Sequence, residues 1–290
     1  MAWLSERLAD TSAGLLVLPG AHDGLTAKLI AGSKAEAVYC GGFATAAVAG
    51  LPDLGLLSFE EISGALVRIV EAAGGKPVVA DGDAGHGGLL NVERTIHRLG
   101  RIGVSAVHIE DQVAPKRCGH LDGKMVVSRD EAIARIATAV AAGRKAGVEI
   151  IGRTDALGPE GLDEALWRAE AFHKTGVVAV LVDAPRSAEE VRTIAENASA
   201  PVVFNAAPTG SGPALDHKAL QTIGIAAVIH PIEGLLAATA AVEATLRTLV
   251  GGKAQHCGGF DGINEILGTH ALVSRERALW QTTTNDLGRI

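Results

Sequence analysis

One apolar run after another in this chain ends in a polar or ionisable group. Tyr39-Cys40-Gly41-Gly42 closes one and Asp81-Gly82-Asp83 the next; then come Glu110-Asp111, Arg153-Thr154-Asp155, Asp183, Asn205 and His230. Asp81, Asp83 and Glu110, joined by Asp53 from the stretch after Gly42, are hard oxygen donors. Carboxylates gathered at one place repel each other unless a cation sits among them. Oxygen-only ligation, with no His or Cys set at zinc spacing, points to Mg2+ or Mn2+. Mg2+ keeps several waters, so some of these acids are expected to act through water. The plainer readings are helix capping by the acids, or pairing of one or two of them with Lys or Arg.

Arg153 offers a planar fork matched to a carboxylate, and Gly41, Gly42 and Asn205 can add donors. An arginine so placed is about as often a structural ion-pair partner. His108 alternates with Glu110, so both should face the same way. It either steadies a ligand acid or is a satisfied core histidine. Cys118 lies in PKRCGH, between two cations and a histidine, in a segment with neither helix nor strand period. Cys257 sits in a Gly-rich turn and is given no role. Gly251-Gly252-Lys253 lacks the Ser/Thr and the upstream spacing of a phosphate loop.

Such residues need a scaffold that brings strand ends together. Short β-branched runs alternate with Ala/Leu/Glu-rich helical patterns, which reads as repeated βα units on a parallel sheet. The strand candidates are residues 14–20, 35–40, 76–83, 105–111, 148–155, 177–185, 200–205 and 225–231. Helical stretches are expected over 58–73, 91–99, 128–146, 161–175 and 187–197, with Ser58, Ser128 and Ser187 as N-caps. The count is that of a (β/α)8 TIM-type barrel, in which all strand C-termini converge on one mouth. An open doubly wound sheet is the alternative. No linker splits the chain, so residues 1–290 are read as one barrel domain. Residues 251–290 exceed what a barrel needs and read as a C-terminal helical extension packing on a neighbouring subunit. The stretch from Gln112 to Val127 is long for a βα loop, and long loops are commonly functional.

Composition excludes several classes. The 290 residues are 48% hydrophobic and 20% charged, a folded-globule profile. With aromatics at 3%, the core must be packed with Ala, Val, Ile and Leu. A net charge of -7 argues against a nucleic-acid surface. No apolar run is long enough for a membrane span, and the start lacks a signal-peptide run. Three cysteines make no disulfide framework, so a reducing cytoplasm is expected.

These motifs together resemble the isocitrate lyase and phosphoenolpyruvate mutase superfamily, in its short-chain lyase branch. The matches are GLPDLGLLSFEE at 50–61, ADGDAGHG at 80–87, HIEDQ at 108–112, KRCGH at 116–120, GRTDA at 152–156 and the strand ending in Asn205. They run in family order over most of the chain, and KRCGH after HIEDQ is the most specific. The resemblance implies a (β/α)8 barrel, a homotetramer with a C-terminal helix exchanged between subunits, and Mg2+ holding a 2-oxo acid or its enolate. It makes Asp81 the direct metal ligand and Asp53, Asp83 and Glu110 the supporting acids. Tyr39, Gly41, Gly42 and Arg153 would bind the 2-oxo acid portion, with Asp183 and Asn205 shaping the rest of the pocket.

In the carbon–carbon lyases of the family the KRCGH loop closes over substrate and its cysteine moves a proton. Cys118 is therefore expected to be the acid–base group, its thiol pKa lowered by neighbouring cations. Lys116, Arg117, Gly119 and His120 are expected to help hold the substrate dianion. The implied reaction is retro-aldol cleavage of a 2-hydroxy di- or tricarboxylate, methylisocitrate- or alkylmalate-like, to pyruvate or glyoxylate plus a carboxylic acid. Tyr39 or a metal-activated water network would take the hydroxyl proton. The rival readings are an oxaloacetate decarboxylase, a phosphonopyruvate-type enzyme, and a non-enzymatic 2-oxo acid binder.

Overall fold

The β-branched runs form eight short strands: β1 (Leu16–Pro19), β2 (Val38–Cys40), β3 (Val78–Asp81), β4 (Ala106–Glu110), β5 (Glu149–Thr154), β6 (Ala179–Val182), β7 (Val203–Asn205) and β8 (Ala227–His230). The computed structural model describes residues 2–119, 121, 123–208, 212–251 and 259–287. Every ladder is parallel, β2 through β6 in sequence and β7–β8–β1. The bridges Gly20–Tyr39 and Val180–Val202 join the two sheets into a closed cylinder. The barrel expected from the strand count is therefore the observed fold, and the open sheet is not.

The helices are α1 (Trp3–Ala9), α2 (Gly24–Ala31), α3 (Gly42–Val48), α4 (Phe59–Ala72), α5 (Leu89–Ile102), α6 (Arg129–Ala146), α7 (Leu157–Glu160), α8 (Leu162–Thr175), α9 (Ala188–Asn197), α10 (His217–Ile223), α11 (Glu233–Val250), α12 (Gly259–Ile266) and α13 (Thr269–Leu287). Ser58, Ser128 and Ser187 cap α4, α6 and α9 through their hydroxyls, as expected, and Glu61 completes a capping box on α4. Each satisfies a backbone N–H that the helix cannot.

Apolar side chains fill two layers. Strand residues that alternate inward, including Leu16, Leu18, Val79, Ile151, Leu181 and Ile229, pack the cylinder itself. Those facing outward, such as Val78, Val107, Ile109 and Val228, meet the helices. At the N-terminal end of the strands α1 acts as a stopper: Leu4 and Leu8 join the inner layer. The Glu149 carboxylate accepts hydrogen bonds from Leu4 N at 2.6 Å and Ser5 N at 2.9 Å, which satisfies the free amides of α1.

The C-terminal extension contributes α12 and α13. α12 packs on the mouth of its own barrel, where Phe260 and Ile263 meet Phe43, Ile232 and Leu235. The rings of Phe43 and Phe260 lie 4.9 Å apart. α11 buries only Leu235 and Glu243 and leaves Val242, Leu246, Leu249 and Val250 exposed. Among the described residues no helix is long and apolar enough to cross a membrane.

Candidate active site

The mouth is built where strands end. A cavity there is lined on one side by Tyr39, Gly41, Gly42, Asp53, Asp81 and Lys116, and by Arg153, Asp183 and Asn205. Asp81 ends β3 and is held from three directions. Its Oδ2 accepts from Gly42 N at 3.2 Å, its Oδ1 accepts from Asp83 N at 2.9 Å, and His108 Nδ1 lies 3.5 Å from Oδ1. His108 faces Asp81 because the two are register partners across β3 and β4. Its other nitrogen, Nε2, shares a 2.8 Å hydrogen bond with Tyr39 Oη. Tyr39, His108 and Asp81 thus form one buried polar row.

Burial and the nearby Asp81 push the Tyr39 phenol well above its usual range. Burial lowers His108 against the pull of Asp81, so its imidazole tends to neutrality. For Asp81 burial opposes ionisation, yet His108, Lys116 and Arg153 hold its carboxyl below the ordinary range.

The acids expected to surround a metal are together, but a lysine stands among them. Lys116 Nζ is 2.6 Å from Asp53 Oδ1 and 2.7 Å from Asp83 Oδ1, the latter without hydrogen-bond alignment. Burial works against the ammonium, but Asp53 and Asp83 raise it well above its usual value. Lys116 therefore answers the carboxylate repulsion, as in the plainer reading of the acid cluster, and it also lines the cavity. Among the described residues no three His, Cys, Asp or Glu side chains are grouped for a metal ion in this arrangement.

The donor chemistry still fits a hard divalent cation. Glu110 Oε1 is buried without a hydrogen-bond partner. Burial also drives the Glu110 carboxyl well above its usual range despite Arg153 beside it. Asp53, Asp81, Asp83, Glu110, Asp155 and Asp183 together outnumber Lys116, Lys124 and Arg153, so the mouth has a surplus of negative groups.

Arg153 lines the cavity, but its fork is already engaged. Nε is 2.9 Å from Asp155 Oδ2 and 3.2 Å from Glu110 Oε2, and Nη2 is 3.0 Å from Asp183 Oδ2. Asn205 Nδ2 donates to the other Asp183 oxygen at 3.0 Å. Of the two readings of Arg153, the ion-pair one is observed, and the residue also lines the cavity. Strain accompanies this packing: Asp83, His86 and Ala184 have φ of 47°, 59° and 58°, in the left-handed region that costs a residue with a Cβ.

The segment holding Cys118 is folded down onto this mouth. A Cβ on Gly119 would lie 1.7 Å from Asp183 Oδ2 and 2.6 Å from Arg153 Nη2, so only glycine fits there. Gln112 clamps the segment from below: its Nε2 donates to Arg117 O at 2.9 Å and its Oε1 accepts from Arg117 N at 3.0 Å. Cys118 N donates to Asp53 O at 3.1 Å. Lys124 Nζ reaches Gly119 O and, at 3.1 Å, Asp155 Oδ1. The Arg117 guanidinium turns away to Glu276 of α13 and lies outside the cavity lining, which corrects its expected contact with substrate. His120 lies outside the described residues.

Cys118 itself lines the cavity and packs in an apolar cluster with Phe43, Ile232, Leu235, Phe260 and Ile263. The opposite wall of the cavity is thus apolar: Phe43, Ala207, Pro231, Ile232 and Phe260. Reasoning from sequence missed Gln112, Lys124, Phe43 and Phe260. Gln112 carried a faint signal, a lone amide opening the long loop; the others are contacts between distant segments and carried none.

Residues 6–250 match the phosphoenolpyruvate phosphomutase family. The chain is 38% identical over 261 residues to the 2-methylisocitrate lyase of Halalkalibacterium halodurans, covering 84% of each chain. It is 38% identical over 229 residues to the 2,3-dimethylmalate lyase of Eubacterium barkeri, covering 79% of each. Among solved structures it resembles oxaloacetate acetylhydrolase in complex with 3,3-difluorooxalacetate, with TM-score 0.80 and 30% identity over 95% of this chain and 96% of that one.

Proposed function

We propose a carbon–carbon lyase reaction for this chain, which belongs to the phosphoenolpyruvate mutase/isocitrate lyase superfamily. The substrate class is a 2-hydroxy di- or tricarboxylate, cleaved to a 2-oxo acid and a second carboxylic acid. The observation that carries this reading is the position of Cys118, brought by the folded-down loop between an acid-rich wall and an apolar wall of one cavity.

Asp81, with Asp53, Asp83 and Glu110 around it, would hold Mg2+ or Mn2+. When bound, that ion lowers the pKa of the substrate hydroxyl and favours the nascent carbonyl. Gly41, Gly42 and Arg153 orient the carboxylate that stays with the 2-oxo acid. Tyr39 Oη takes the hydroxyl proton as it passes its own to His108 Nε2; the neutral imidazole can accept because Asp81 stands behind it. The bond between the hydroxyl carbon and its neighbour breaks, and its electron pair becomes the enediolate of the leaving acid. The Cys118 thiol protonates that carbon. Asp183 and Asn205 close the floor of the pocket, and Gly119 lets the loop seat on it.

We place the enzyme in a homotetramer in which a C-terminal helix is exchanged between subunits. The exposed Val242, Leu246, Leu249 and Val250 support this, since such a surface needs a cover. Cys40 and Cys118 are not joined in a disulfide, which suits a cytoplasmic setting.

The test is 2-oxo acid release from a panel of 2-hydroxy acids with and without Mg2+, with oxaloacetate and phosphonopyruvate as controls. Metal-dependent release from a hydroxy acid, lost in Cys118→Ser, supports the lyase. Turnover of oxaloacetate alone, surviving Cys118→Ser, would replace it with chemistry that needs no proton-donating loop.

A further inference from the structure

The cavity has two unlike walls, and Cys118 says which fragment of the substrate meets which. A proton donor must touch the carbon it protonates. In the proposed reaction that carbon belongs to the leaving acid, so the leaving acid must lie on the side of Cys118. That side is the apolar cluster: Phe43, Ile232 and Phe260 around the cysteine, continued by Pro231 and Ala207. Among the described residues that line the cavity the cations are Lys116 and Arg153, both on the opposite wall and both already paired with carboxylates.

From this, and resting on the lyase reading, we infer that the leaving acid is a monocarboxylic acid bearing alkyl groups, so that the substrate is an alkyl-substituted malate and not a tricarboxylate. Phe43, Ile232 and Phe260 are the residues that set this choice. A malate brings two carboxylates. One stays with the 2-oxo acid at the polar wall; the other becomes the enediolate, shared between the acid cluster and Cys118. A tricarboxylate brings a third, on the leaving fragment, and would bury it against two phenyl rings and an isoleucine. A carboxylate taken out of water without a cation or donors is strongly disfavoured. An alkyl substituent at the same place replaces water with apolar contact and is favoured.

Phe260 gives the choice a particular origin. It comes from α12, beyond the eighth strand, so the C-terminal extension completes a wall that the barrel begins with Phe43 and Ile232. Trimming or exchanging that extension should change which acid is cleaved before it changes whether cleavage occurs.

The experiment compares kcat/KM for 2,3-dimethylmalate and 2-methylisocitrate in the unmodified protein and in Phe260→Arg. We expect the dicarboxylate to be preferred by about 100-fold or more, the discrimination a polar mismatch in a shaped pocket gives. Phe260→Arg should shrink that ratio at least tenfold by placing a cation on the wall. Should the variant not fold, the ratio in the unmodified protein decides alone. Preference for the tricarboxylate, or equal use of both, would overturn the inference and leave the lyase standing. Cleavage of neither would sink the lyase reading instead. Calorimetric binding of the same two acids then judges the wall: tighter binding of the dicarboxylate upholds it, and equal or reversed binding overturns it.

Discussion

The two ends of this barrel solve opposite problems. At the N-terminal end Leu4 and Leu8 of α1 plug the cylinder, and one carboxylate, Glu149, meets two free amides. Leu4 is fully buried there, and the amides of Leu4 and Ser5 both have their partner in that carboxylate. At the C-terminal mouth Glu110 is buried with an unpartnered oxygen, acids outnumber cations, and three residues with side chains sit at positive φ. Natural chains depart from local consistency where they must act on something, and the remainder of the fold carries the cost. The plug is there to hold; the mouth is arranged to receive.

That contrast can be broken from either end. Leu4→Ala should cost about 2–5 kcal/mol, the range for emptying a fully buried leucine site. A urea titration reads it, and the folded fraction should keep its turnover. If turnover falls with stability, the two ends are coupled and the contrast fails. Gly119→Ala should do the reverse: kcat/KM lowered by about 100-fold, because the loop cannot seat against Asp183, with thermal stability nearly unchanged.

Glu110→Gln sharpens the comparison. The folded-state carboxyl is raised above its unfolded value, so ionised Glu110 opposes folding once pH exceeds about 4.3, the unfolded value. The neutral amide should therefore add about 1 kcal/mol near neutral pH while activity falls, the exchange expected of a residue kept for function. This gain should vanish below pH 4, where Glu110 itself is protonated in both states. Thermal melts of both proteins across that range check the sign. The smallest effect is at Cys40, whose thiol burial pushes up to about 11. In the folded protein it should resist iodoacetamide at pH 8 and become labelled only in denaturant, as peptide mass spectrometry would show.

Legibility in the sequence followed the range of the interaction. Strand ends and the caps Ser58, Ser128 and Ser187 were readable because alternation and capping act over a few residues. The register that sets His108 against Asp81 was half readable: alternation gave its side, and only strand pairing gave its partner. The partnership of Lys116 with Asp53 spans 63 residues, and that of Arg117 with Glu276 spans 159. No local pattern encodes such pairs, so the ties of these two cations to the scaffold were not readable. The same holds for Phe43 and Phe260, two ordinary phenylalanines until α12 lays one on the other. The plug α1 was passed over because a seven-residue helix with polar residues on most sides gives little periodic signal.

The tie from Arg117 to Glu276 has a practical consequence for anyone who attaches something to this protein. Since α13 holds the loop beside Cys118 and α1 seals the barrel, neither terminal helix is an inert handle. A dye or an affinity sequence joined at either helix would be felt by the loop over the cavity or by the core. The exposed turn at Gly74 and Gly75, where an added side chain would meet almost nothing, is the better place for a label.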